Sequence, residues 1–131
     1  MNADTAKLNL NTIGQIAVSV SDIDKATEFY RDTLGMRFLF SAPPGMSFFD
    51  CDGVRLMLTL PERGGEVPKG NSVIYFTVQH VPQATETLKS RGVLFTGEPH
   101  VIHSTDAYEL WMSFFTDPDG NVLALMAEAL K

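Results

Sequence analysis

The residues whose types and spacing most readily suggest chemistry are His100, His103 and Glu109. The stretch "PHVIH" sets the two histidines three apart, and Glu109 opens the strand-like "ELWMSFF" shortly after. Histidine titrates near neutrality and a carboxylate can orient it, so His100 with Glu109 could work as a catalytic acid/base pair. The same cluster could hold a relocated metal, or be a rim histidine beside a solvated acid. Strand side chains alternate between faces, so His100 and His103 converge only across a bend or bulge. His100 and Glu109 could meet if their segments form a hairpin around "STDAY".

Other reactive groups carry less. Cys51 stands between Asp50 and Asp52. Negative neighbours raise a thiol pKa, the wrong direction for a nucleophile, so Cys51 reads as structural. No Ser-His-Asp order, phosphate loop or dinucleotide glycine fingerprint occurs.

Composition bounds the setting. A length of 131 residues fits one domain with a real core. Sixteen acids against ten Lys and Arg give a net charge of −6, which disfavours nucleic acid as a partner and would weakly help a cationic ligand. No apolar run approaches the ~20 residues of a membrane span. The polar start "MNADTAKLNLNTIG" lacks the apolar core of a signal peptide, and a lone cysteine forms no internal disulfide. A cytoplasmic protein is expected, with no membrane partner.

The elements that must position these groups follow from periodicity and punctuation. Residues 15–20 alternate as a strand, with Ile16, Val18 and Val20 apolar. Ser21-Asp22 looks like a helix cap. A helix is predicted over 23–33, burying Ala26, Phe29 and Tyr30 and stopped by Gly35. Strands are predicted over 36–40, 47–51 and 54–60, with Asp52-Gly53 as a hairpin turn. Residues 61–71, "PERGGEVPKGN", read as a linker. The order then restarts: a strand over 73–78, a helix over 82–90, a strand beginning at 93–95, and strands over 109–115 and 122–127 joined by "TDPDGN". Residues 97–108 are expected to hold a loop tip.

The chain is therefore written twice. With an offset of 58, Gln15 meets Val73 and Ala26 meets Ala84. "FFDCDG" meets "FFTDPDG" with one extra residue. Two supersecondary units of one plan are implied, βαβββ at 13–60 and again at 72–128, within a single domain. The fold class is α+β. Each four-stranded mixed sheet has one face under a helix, and the other faces are expected to form a cleft suited to a small molecule.

The stretches "IAVSVSDIDKATEFYRDTLGMRF" and "FFTDPDGNVLALM", at this spacing, resemble the vicinal oxygen chelate superfamily, also called the glyoxalase/bleomycin resistance/dioxygenase family. The resemblance covers about residues 13–128. The fold it implies hosts isomerases, lyases, dioxygenases and non-catalytic drug-binding proteins. Its metalloenzymes hold one divalent metal from four strands, and it implies a homodimer. Carried onto this chain, the four ligand positions fall on Gln15, near Met57, on Val73 and on Ala124. One amide and one thioether do not make a site for a hard cation.

The expectation is a metal-independent binder of a small organic molecule, with Gln15, Met57, Val73, Tyr75, Trp111, Ala124 and Met126 lining the cleft. No cofactor is expected, a divalent metal being the alternative. Gln15 is either a polar fixture of that cleft or satisfied by backbone. Trp111 either stacks on a planar ligand or packs in the core, and the methionines equally could be core. The alternative is a lyase, isomerase or dioxygenase with a variant site on Gln15, His100 and Glu109.

Overall fold

A computed structural model describes residue 8 and residues 10–61 and 72–131; the predicted linker at 61–71 falls almost wholly outside the described residues. The first unit runs β1 (Gln15–Ser19), α1 (Ile23–Glu28), a π-helical segment (Phe29–Thr33), β2 (Arg37–Ala42), β3 (Met46–Cys51) and β4 (Val54–Thr59). The second runs β5 (Ile74–Thr77), α2 (Val81–Ser90), β6 (His100–Ser104), β7 (Tyr108–Thr116) and β8 (Val122–Leu130). The sheets have the orders β1-β4-β3-β2 and β5-β8-β7-β6. In each, the first and last strands of the unit pair parallel, and the other neighbours pair antiparallel.

Local chemistry explains the ends. Asp22 caps α1, its carboxylate accepting from the Lys25 N–H at 3.0 Å. His80 caps α2 in the same way, Nδ1 accepting from the Gln83 N–H at 3.1 Å. The first helix is not α-helical throughout, as the sequence suggested. Beyond Glu28 it widens, and the Leu34 N–H bonds back to the Phe29 carbonyl, five residues earlier. Gly35, at φ +75°, then turns the chain away. The Asp52-Gly53 hairpin has positive φ at both positions, the primed geometry that matches strand twist.

One strand lies elsewhere than expected. Residues 93–95 form no strand; Phe95 makes only an isolated bridge to Phe115. The fourth edge is instead β6, inside the stretch read as a loop. Its residues "HVIHS" are all exposed, so no burial alternation marks them as a strand. The loop tip shrinks to residues 105–107, where Thr105 Oγ1 accepts from the Ala107 and Tyr108 N–H groups.

The core is continuous between the two units. Val18, Tyr30, Phe49, Leu56 and Leu58 of the first join Val81, Leu88, Phe115, Leu123 and Leu125 of the second. All lie on the helix-bearing sides. The repeat also holds at atomic detail. Thr27 on α1 bonds Ser47 on β3 at 2.7 Å, and Thr85 on α2 bonds Ser113 on β7 at 2.8 Å, both pairs buried. Each threonine hydroxyl also reaches its own helix, at the carbonyl four residues back.

A polar junction ties the units together. The buried Tyr30 hydroxyl donates to Asp117 Oδ2 at 2.9 Å. Asp117 also accepts from the N–H groups of Asp119 and Asn121 and from Asn121 Nδ2. Asn121 Nδ2 spends its second hydrogen on the Ser19 carbonyl of β1, at 3.1 Å. Burial first, then the Asp117 carboxylate, pushes the Tyr30 phenol well above its ordinary value.

Two outcomes are expected. Tyr30→Phe removes one buried hydrogen bond while Asp117 keeps its other donors, so it costs about 1–2 kcal/mol in urea unfolding; Asp117→Ala strands several donors and costs about 3 kcal/mol or more. A raised phenol pKa gives stability that is full below the unfolded value of about 10 and is lost as pH rises above it. The stability gap between the native chain and Tyr30→Phe should therefore narrow between about pH 9 and 11; a constant gap would show that Tyr30 ionises equally in both states.

Candidate functional site

Strand alternation divides each sheet into a helix-bearing face and a helix-free face. Leu56 and Leu58 are buried in the core, so their neighbour Met57 faces the other way. Its register partners Ala17 and Phe48 share that face, and Phe40 lies beside Phe48. Phe40 and Phe48 stack with centroids 4.7 Å apart and an interplanar angle of 25°. The Arg55 guanidinium sits 5.7 Å from the Phe48 ring centroid. Gln15, beside Arg55 in the register, points its amide donor at Met57 Sδ, 3.9 Å away. It is thus a group of the helix-free face, and among the described residues no backbone group bonds its side chain.

The second sheet repeats the row with sizes exchanged. Ala17, Met57 and Phe48 correspond to Tyr75, Ala124 and Phe114, which also lie side by side. Small Ala17 stands beside large Met57; large Tyr75 stands beside small Ala124. The Tyr75 and Phe114 rings meet edge-on at 6.0 Å and cover Ala124 completely. One pair further along, Met126 and Met112 lie together, with His100 opposite Met112. Val73 stands just before β5, two residues ahead of Tyr75.

The His–Glu pair is not assembled. A bulge at Ile102 shifts the register, so His100 faces Met112 and His103 faces Leu110. Both histidines therefore fall on the helix-free side. Glu109 pairs with Ser104 and Ala129 and shares its face with Trp111 and Ser113. Ser113 is locked to α2 through Thr85, so that face is the helix-bearing one. His100 Nδ1 makes its 3.0 Å contact with the Glu98 carbonyl instead. Trp111 moves with Glu109: it packs against the core and is no stacking platform beside Tyr75.

Phe48, which is buried beneath the Phe40 ring, and Phe114 are aromatic residues of the helix-free faces that the sequence alone did not single out. The signal was the doubled phenylalanine at one point of both units. In "FF", one ring must enter the core, as Phe49 and Phe115 do, and the other must leave it.

The residues at the family's metal positions do not fit a hard divalent ion. Gln15 offers an amide already turned toward Met57, Met57 a thioether, and Val73 and Ala124 nothing. Among the described residues, no three of His, Cys, Asp and Glu come together as a metal would need. Cys51 is half-buried, and burial first, then Asp50 and Asp52, pushes its thiol up. It is held as the unreactive thiol.

Comparisons with known proteins agree with this geometry. The sequence profile described as Glyoxalase/Bleomycin resistance protein/Dioxygenase superfamily matches residues 12–125. The uncharacterized protein YetH of Bacillus subtilis (strain 168) is 30% identical over 126 residues, which cover 88% of this chain and 98% of YetH. A superfamily member from Sphaerobacter thermophilus DSM 20745 superposes with a TM-score of 0.74 at 26% identity, covering 92% of this chain and all of that one. Lactoylglutathione lyase from Agrobacterium tumefaciens shares the fold at a TM-score of 0.74 and 18% identity, over 91% of this chain and 95% of its own. With its two four-stranded mixed sheets and the matched profile, the chain belongs to the Glyoxalase/Bleomycin resistance protein/Dioxygenase superfamily.

Proposed function

We propose that this member of the superfamily binds a small organic molecule on the helix-free faces of its sheets, without a divalent metal. The observation that carries the reading is the pair of matching rows, Ala17–Met57–Phe48 and Tyr75–Ala124–Phe114. They set aromatic rings and one adaptable thioether at and around Met57 and Ala124, two of the positions to which the resemblance assigns metal ligands. Gln15 and Arg55 on one sheet and His100 on the other supply the few polar fixtures that orient such a ligand.

Two copies pair to enclose the ligand. Phe40 is 47% exposed and Tyr75 44% exposed, so one chain by itself leaves an uncovered ring on each helix-free face. Apolar surface of this kind favours association, and a second copy is the partner that carries the complementary rows. The alternative, a lyase, isomerase or dioxygenase with a variant site, keeps Gln15 and His100 but loses Glu109 as their partner.

A thermal-shift screen of planar organic compounds should find ligands that raise the unfolding temperature by mass action. Tyr75→Ala and Gln15→Ala should weaken that shift, and so should His100→Ala, whereas Glu109→Ala should leave it unchanged. A strong effect of Glu109→Ala would restore the acid/base pair. Elemental analysis of dialysed protein should find no stoichiometric Zn, Ni, Mn or Fe; a retained equivalent of any of them would sink the metal-free reading. Sedimentation should give a dimer that Phe40→Asp dissociates.

A further inference from the structure

The two units are copies, so each serves as the other's control. At the start of α1, the "TDPDG" turn of the second unit closes the groove between helix and sheet. Asp119 Oδ1 accepts the Ser21 N–H at 3.1 Å, and Asp117 takes the Tyr30 hydroxyl. Only a polar recess of about 190 Å³ is left there, between Ser21, Lys25 and Pro118. Tyr30 fills the inner part of the groove, its ring 5.5 Å from Phe29 and 6.1 Å from Phe49.

The corresponding groove on α2 is neither filled nor closed. With the same offset of 58, Leu88 stands for Tyr30 and Thr87 for Phe29, so two rings are missing. The first unit's own turn is one residue shorter and engaged with itself: Asp50 Oδ1 accepts from the Gly53 N–H at 3.1 Å. What remains is a cavity of about 560 Å³. Its walls are Phe76, Leu88, Phe115 and Leu125, with Leu34 and Met36 contributed by the first unit. The units touch beside it across equivalent positions, where the Arg91 guanidinium donates to the Thr33 carbonyl at 2.9 Å. None of the residues of the helix-free faces named above lines this cavity.

We infer that this cavity is a second ligand site, separate from the helix-free faces, for an uncharged apolar molecule carrying a hydrogen-bond acceptor. Its volume lies in the range of small-molecule pockets. Among the described residues no Asp, Glu, Lys or Arg lines it, so a charged ligand would lose hydration there and meet no counter-ion from them. The polar groups sit together at the mouth: Gln79, His80, Gln83 and Thr87. His80 Nδ1 is committed as the acceptor that caps α2, so the neutral ring carries its proton on Nε2. That nitrogen is a donor for a carbonyl or ether oxygen. The Gln79 and Gln83 amides beside it can donate as well, so an acceptor group meets several donors over an apolar floor.

The test uses the full chain and the neutral, non-aromatic steroid ketone progesterone as probe, titrated by calorimetry and by thermal unfolding. Saturable binding of one probe per chain is expected, with a raised unfolding temperature. Thr87→Trp adds a ring at an exposed rim position, and Leu88→Tyr restores the first unit's residue. Each should weaken probe binding by about tenfold or more, while Tyr75→Ala, on the helix-free face, leaves it within about twofold. Thr87 is solvent-exposed, so its variant folds even if Leu88→Tyr does not. Absence of saturable binding overturns the inference. So does unchanged affinity in Thr87→Trp, or loss of affinity in Tyr75→Ala.

Discussion

Asp117 is a nearly fully buried carboxylate that faces four donors, and one of them comes from the other half of the molecule. Its turn cannot swing away without stranding the Tyr30 hydroxyl and the Asn121 amide in a dry interior, a cost of about 1–3 kcal/mol for each group. Asn121 passes the constraint on to β1 through the Ser19 carbonyl. The turn "TDPDGN" is therefore more than a connection between two strands. It fixes the first unit's helix and leading strand against the second unit's sheet. The helix-side faces join as one core, and the helix-free faces stay outside it.

Within each unit, a smaller device repeats. A helix threonine bonds a third-strand serine, and the hydroxyls satisfy each other where neither could reach water. Because the contact pins a given helix residue to a given strand residue, it also fixes which strand positions face the helix. Ser113 anchored under α2 forces Trp111 and Glu109 to the same side. That one hydroxyl contact decides against the acid/base pair and against Trp111 as a ligand platform.

Much of the architecture was legible because the repeat was legible. Strand alternation, the Asp22 cap and the two "DG" turns marked the elements, and the offset of 58 joined them into two units. Three features were not, for separate reasons. The edge strand β6 is exposed on both sides, so burial imposes no period on "HVIHS". The bulge at Ile102 is a register choice made by pairing with β7, and it moves His103 to the face of His100 without any mark in the sequence. The face of Glu109 was unreadable because β7 alternates apolar residues with apolar ones, Leu110 against Trp111 and Phe114 against Phe115. Only the buried Ser113, polar yet inside, carried the information, and a serine in a strand looks at first like an exposed one.

Duplication followed by divergence gives each half a different remaining task. Where the first unit keeps Tyr30, the groove over its helix is shut and its energy goes into joining the halves. Where the second unit has Leu88, the groove stays open, because leucine neither fills the space nor offers a hydroxyl for a turn to bind. The exchange of Ala17 and Met57 for Tyr75 and Ala124 follows the other course: volume lost at one strand returns at its neighbour, and both rows stay flat and apolar. Compensation on the helix-free faces and its absence at α2 are both departures from one template. A compensated exchange preserves a surface. An uncompensated one leaves an open cavity of about 560 Å³, and such a space persists only if its walls are held apart from elsewhere. The Tyr30–Asp117 junction and the Arg91–Thr33 contact hold them, from the opposite side of the core and from the rim.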